Sequence, residues 1–215
     1  MSIVLHYGSG SPFAWRVQLA LEHKALPYER KVLSFAAGDT RKPEFMALNP
    51  RGHVPTIDDN GFVLWESSAI VRHLAQRYGR GTLSPADEQT FAKADQWMDW
   101  ALSSLYGDII STCFIQLVRT PASDRNTDAV EAAAKRAGEK LAILNRQLTG
   151  RNFILGDQIT MADIAVGVLM YRYFNLAIPR PPLANVEVWY KQLTQRPAYE
   201  AHVMIDFKPM MVAGA

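Results

Sequence analysis

The sequence has a single cysteine, Cys113, among 215 residues. One thiol excludes an internal disulfide, a two-cysteine redox pair and a multi-cysteine zinc site. Net charge is also lacking: 23 Lys and Arg against 21 Asp and Glu leave +2. That excludes a strongly basic nucleic-acid arm and an acidic tail. No stretch approaches the ~20 apolar residues of a membrane span. The opening MSIVLHYGSG has neither a basic n-region nor a long apolar h-region. Histidines stand singly at 6, 23, 53, 73 and 202. None has a partner at a short metal-ligand spacing, so no metal is expected. These absences lead to the expectation of a cytoplasmic protein with no membrane and no nucleic acid among its partners.

What is present is material for a core. The chain is 48% hydrophobic and 20% charged, which rules out a disordered polymer. The first ~80 residues alternate in type. Ile3–Tyr7 reads as a strand, and Pro12 to Lys24 as an amphipathic helix with Pro in its first turn. Tyr28–Leu33 reads as a strand and Pro43–Leu48 as a short helical turn. Val54–Ile57 and Phe62–Trp65 read as strands joined by Asp58-Asp59-Asn60-Gly61, a hairpin signal. Glu66 to Tyr78 reads as a helix. The order β-α-β-α-β-β-α is thioredoxin-like.

After Tyr78 the composition changes. Residues 80–87 fall in a Gly, Ser and Pro-rich stretch that reads as a linker. Ala86–Val118, Asp124–Leu148, Met161–Leu176 and Val186–Gln195 carry helical periodicity, so an all-α domain is expected over 88–215 beside an α/β domain over 1–79. Residues 1–80 carry ten Lys and Arg against seven Asp and Glu, a modest excess that suits a small anionic ligand.

Four segments could carry chemistry. In Tyr7-Gly-Ser-Gly-Ser11-Pro-Phe-Ala-Trp-Arg16, the groups able to act are Tyr7, Ser9, Ser11 and Arg16. Ser11 stands where a helix N-cap belongs, a structural role in itself. The same geometry, a hydroxyl beside free N–H groups, also suits an anion, including a thiolate. In Asn49-Pro-Arg-Gly-His-Val-Pro-Thr56, Pro55 removes a ladder N–H, which implies an edge, or a cis bond in a turn. Such a strand end is either a rigid turn or an open backbone for a peptide-like ligand. In Trp65-Glu-Ser67, Ser67 can cap a helix, or Glu66 and Ser67 can meet an ammonium and a carboxylate of a ligand. Thr160 and Asp163 have capping-box spacing and read as structural. Cys113 reads as a small buried hydrophobe.

The four segments together resemble the cytosolic glutathione transferase family, and the resemblance covers essentially the whole chain. The Ser-Pro-Phe-x-x-Arg-Val loop is similar to the serine-type, tau- or theta-like pattern. The resemblance then implies that Ser11 is the catalytic hydroxyl, with Tyr7 and Ser9 as rivals. It implies that Val54, before Pro55, pairs with the cysteinyl unit of glutathione. Glu66 and Ser67 would hold the γ-glutamyl end, Arg41 and His53 the glycyl carboxylate, and Phe13 would flank both substrates. Phe13, Tyr106, Ile110 and Phe114 would line an electrophile pocket, although the last three could equally be bundle core. Glutathione enters as co-substrate, with no other cofactor. A homodimer is implied, with Asp95 or Asp99 reaching toward a partner's glutathione. The activity implied is conjugation of glutathione to a small hydrophobic electrophile. The alternatives are a protein on the same fold that only binds glutathione, hydrophobic ligands or other proteins, and a glutathione-dependent peroxidase.

Overall fold

A computed structural model describes residues 2–212. Its first half is a four-stranded sheet in the order β2-β1-β3-β4. The strands are β1 (Ile3–Tyr7), β2 (Glu29–Val32), β3 (Thr56–Asp59) and β4 (Phe62–Trp65). β1 runs parallel to β2 and antiparallel to β3, and β3 pairs antiparallel with β4. Residues 3, 5 and 7 of β1 alternate inward, with Leu5 opposite Ile57. At the hairpin, Asn60 and Gly61 take positive φ (56° and 88°), and Asp58 Oδ1 accepts from the Gly61 N–H at 2.6 Å. A two-residue turn of this hand needs residues that tolerate the left-handed region.

Helices α1 (Pro12–His23), α2 (Pro43–Leu48) and α3 (Ser67–Tyr78) complete this half. α1 is buried on nearly every side, from Ala14 through Leu21. It packs against α3 and also against two helices of the second half, α6 (Met161–Asn175) and α8 (Pro197–His202). The helix that starts just after Ser11 therefore lies between the two halves of the molecule.

The second half is helical: α4 (Glu88–Trp100), α5 (Thr127–Gln147), α6, α7 (Ala184–Thr194) and α8. α6 begins with the expected capping box. The Asp163 carboxylate accepts from the N–H of Ile154 and of Thr160, from Thr160 Oγ1 and from Trp189 Nε1, at 2.9–3.1 Å. No single helix among the described residues is long and apolar enough to cross a membrane.

Three local expectations are corrected. The strand expected from Val54 begins only at Thr56, because Pro55 has no N–H to give to the ladder. Ser67 does not cap α3. Glu66 occupies the cap position at φ 70°, and Ser67 is the first helical residue. The segment expected as one helix over 86–118 bends by 40° between Glu88–Leu105 and Gly107–Arg119. Beyond α4 its turns are wide. Thr112 and Thr120 hydroxyls donate to carbonyls five residues back, on Gly107 and Ile115, at 3.1 and 3.0 Å. Such widened turns commonly sit at functional sites, and Tyr106 lies at this bend. α8 was not anticipated. It starts at Pro197, a residue suited to a first helical turn.

Candidate active site

The loop from β1 to α1 is fixed by its own backbone. Ser11 N–H donates to the Gly8 carbonyl at 3.1 Å, and the Ser11 carbonyl accepts from Ala14 and Trp15 N–H, both at 3.0 Å. Trp15 Nε1 donates to the Ser9 carbonyl at 2.7 Å. Ser11 is the N-cap of α1, and its Oγ lies 3.4 Å from the Ala14 N–H. In that bond the hydroxyl oxygen only accepts, so its O–H is left able to donate.

The second wall is the loop before β3, organised around buried Asn49. Its Nδ2 donates to the His53 carbonyl at 2.8 Å and to Thr56 Oγ1 at 3.0 Å, and its Oδ1 accepts from Arg51 N–H at 3.0 Å. Gly52 has φ +61°, and a Cβ there would meet the Thr40 carbonyl at 2.7 Å. The Val54–Pro55 peptide is cis. The third wall is the start of α3, with Glu66 and Ser67.

These walls enclose one cleft of about 390 Å³, bounded by Ser11, Phe13, Val54, Pro55, Glu66 and Ser67, with His53 at its edge. A hydroxyl at a helix N-terminus, the backbone edge at Val54–Pro55, and a carboxylate and a second hydroxyl at the start of α3 all line it. A small peptide carrying a thiol, an ammonium and carboxylates matches that arrangement.

Comparison with known proteins decides the family. Residues 10–77 match the family model described as glutathione S-transferase, N-terminal domain, and residues 127–201 the corresponding C-terminal domain. The chain is 37% identical over 195 residues to the glutathione S-transferase GstB of Escherichia coli (strain K12), covering 88% of this chain and 92% of that protein. It is 32% identical over 185 residues to glutathione S-transferase D7 of Drosophila melanogaster, covering 84% and 79%. The theta class glutathione S-transferase of Xanthomonas axonopodis pv. citri, solved with glutathione bound, superposes with a TM-score of 0.88 at 35% identity, covering 95% of this chain and 98% of that one.

The chain belongs to the glutathione S-transferase family.

In this transferase the other candidates are placed as follows. Tyr7 is buried in the sheet, at 9% exposure, and Ser9 is exposed on the loop. Neither lines the cleft. Arg41 stands behind the second wall, where its Nη1 donates to the Arg51 carbonyl at 3.3 Å. On the helical side, Tyr106 stacks on Phe13 with ring centroids 4.7 Å apart. Ile110 and Phe114 are buried, and the Phe207 ring meets Phe114 edge-on. Asp95 and Asp99 both pair with Arg72 of the same chain. Cys113 is buried, and burial pushes its thiol up to about 11, so it is unreactive near neutral pH.

The sequence reading missed Arg51, which lines the cleft and pairs with Glu66. It also missed Asn49, Phe35 and Leu102. The one available signal was Asn49 itself: an Asn-Pro at a turn invites an Asx-type bond to the residue two further on. Arg172 was missed as well. It is buried on α6, and its Nη2 donates to the Gly10 carbonyl at 2.8 Å.

Proposed function

We propose that this transferase conjugates the glutathione thiolate to a small electrophile with an apolar body, and that Ser11 stabilises the thiolate. The observation that carries the reading is the convergence of Ser11, Val54, Pro55, Glu66 and Ser67 on one cleft. The Val54 backbone pairs with the cysteinyl unit. Glu66 and Ser67 hold the γ-glutamyl end, and His53 the glycyl carboxylate. Arg41 supports that end through the Arg51 carbonyl rather than by lining the cleft.

The energetics suffice without a metal. A free thiol has a pKa of about 8.5, so little is ionised at pH 7. Lowering it by about 2 units takes roughly 2.7 kcal/mol. A hydroxyl donor to a charged acceptor contributes about 1.5–3 kcal/mol. The N-terminal dipole of α1 adds about 0.3–1 kcal/mol. The thiol proton leaves to water, the sulfur attacks the electrophilic carbon, and the leaving group departs with its bonding pair.

The division at residue 79, with 80–87 as linker, gives the holding of glutathione to the first domain. The acceptor side falls to residues 88–215, where Phe13 meets Tyr106. Glutathione is co-substrate and no further cofactor is used. The protein works as a homodimer in the cytoplasm. The test is retention on glutathione resin followed by a conjugation assay with 1-chloro-2,4-dinitrobenzene. Retention with measurable conjugation is expected. Retention with no turnover across a broad electrophile panel would show a carrier instead.

A further inference from the structure

Two arginines lie buried where the acceptor side meets the loop carrying Ser11. Arg172 is 3% exposed. Its guanidinium carbon lies 3.7 Å from the ring centroid of Phe114 and 4.9 Å from that of Trp15. Nη2 donates to the Gly10 carbonyl, and Nε has no partner among the described residues. Arg16 is fully buried on α1. Its Nη1 donates to Ser68 Oγ at 3.0 Å, and Nε and Nη2 have no partner among the described residues. Its guanidinium lies 5.3 Å from the Phe13 ring, which stacks on Tyr106.

Neither cation meets a carboxylate among the described residues. Asp95 and Asp99 pair with Arg72 instead. Burial pushes both Arg16 and Arg172 down to about 10. An unpaired buried charge is costly, and aromatic faces offset only part of that cost. What this arrangement lacks is an anion.

We propose that the acceptor substrate carries a carboxylate, and that Arg172 pairs with it, with Arg16 as a second cation behind the Phe13–Tyr106 stack. The proposal rests on the conjugation reading above and narrows its substrate class. Arg172 bonds the residue immediately before Ser11, so a carboxylate paired there keeps its electrophilic carbon near the sulfur. Glutathione's own carboxylates are assigned to Ser67 at one end and to His53 at the other, and leave this cation free. The Met210 side chain fills the space beside Gly10 that a Cβ would occupy, and it must move aside for a carboxylate to reach Arg172. Met210 is only half-buried, and a flexible thioether side chain gives way readily.

The test compares 4-chloro-3-nitrobenzoate with its neutral isostere 4-chloro-3-nitrobenzamide. In both, sulfur bonds the carbon that bears chlorine, chloride leaves with its bonding pair, and the thiol proton goes to water. Each kcat/KM is divided by the uncatalysed rate of the same compound. The wild-type protein is expected to favour the benzoate roughly tenfold or more, the value of one charged hydrogen bond. Unreactive benzoate is expected to compete with the acceptor and benzamide not to. In Arg172→Gln the preference is expected to vanish, with the benzoate losing far more of its rate than the benzamide. Arg172→Lys is expected to restore part of it.

Equal rates, or a preference for the amide, in the wild-type protein overturn the proposal whether or not the variants fold. So does an Arg172→Gln that loses both activities equally, because Arg172 then acts on the thiolate or on the fold. Activity with 1-chloro-2,4-dinitrobenzene but with neither nitrobenzene acid nor amide also overturns it and leaves the conjugation reading standing. Inactivity with all three acceptors overturns the conjugation reading itself, and this proposal with it.

Discussion

Arg172 on α6 donates a hydrogen bond to the Gly10 carbonyl at 2.8 Å, joining residues 162 positions apart. The helical half thereby grips the loop that presents Ser11, by the backbone rather than by a side chain. That bond does not involve the Ser11 side chain, so a substitution at 11 reports on chemistry more than on folding.

Ser11→Ala is the most direct case. The hydroxyl's donation to the glutathione sulfur contributes about 1.5–3 kcal/mol, so kcat/KM is expected to fall roughly 10- to 150-fold. The pKa of bound glutathione, followed by thiolate ultraviolet absorbance, is expected to rise by about one to two units. The lost cap costs about 1 kcal/mol of stability, too little to unfold an ordinary domain. Tyr7→Phe is expected to leave both readouts unchanged. Reversal of the two results would transfer the role to Tyr7.

Gly52→Ala probes the second wall. The new Cβ would need φ +61° and would press on the Thr40 carbonyl at 2.7 Å and on Arg41 Nη1 at the same distance. Backbone cannot yield as a side-chain tip can, so the loop carrying His53 and Val54 must shift. A several-fold rise in KM for glutathione is expected, with a smaller change in KM for the electrophile. Steady-state kinetics with each substrate varied in turn would check this, and an unchanged glutathione KM would refute it.

Asp163→Ala tests the α6 cap. Its carboxylate serves four donors from Ile154, Thr160 and Trp189, all in a buried setting. Leaving buried donors unpaired costs about 1–3 kcal/mol each, so a loss of at least about 3 kcal/mol is expected from the set. Urea unfolding at pH 7 measures it. A loss below about 1 kcal/mol would mean that water replaces the carboxylate without difficulty.

His23 gives a pH signature. Burial first, then the charges of Arg196 and Lys24, push its pKa down to about 4, against 6.5 ordinarily. Its Nδ1 faces Arg196 Nη2 at 3.1 Å, so the neutral ring accepts from the guanidinium. Between those two values the unfolded chain binds a proton that the folded protein refuses. Stability is therefore full above about pH 6.5 and declines as the pH falls toward 4. The melting temperature of wild type is expected to drop over that interval more steeply than that of His23→Gln, whose amide accepts from Arg196 without titrating. Parallel curves for the two proteins would refute the assignment.

Much of this was legible in the sequence because it is local. The Asp58–Gly61 turn, the Ser11 cap and the Thr160–Asp163 box each depend on residues within three positions of one another. Ser11, Val54, Pro55, Glu66 and Ser67 were legible because each stands at an element end that backbone rules mark. Tyr106 at a bend was not legible, because wide turns have no residue signature distinct from ordinary helix. Glu66 at the cap of α3 was hidden for a related reason. A non-glycine residue at positive φ is intrinsically unfavourable, and only the surrounding fold fixes Glu66 there. Arg51 and Arg172 were invisible because their roles come from partners 15 and 162 positions away.

The burial of α1 between both halves has a consequence for how this molecule can change. A helix shared by both halves leaves no seam along which they could be exchanged or pulled apart intact. A new helical half grafted from a relative would have to bring surfaces that fit α1 from outside, or it would displace the serine along with the helix. Diversification of the acceptor side is thereby confined to positions that do not touch α1. The molecule can revise what it attacks only while leaving undisturbed the helix that makes the attack possible.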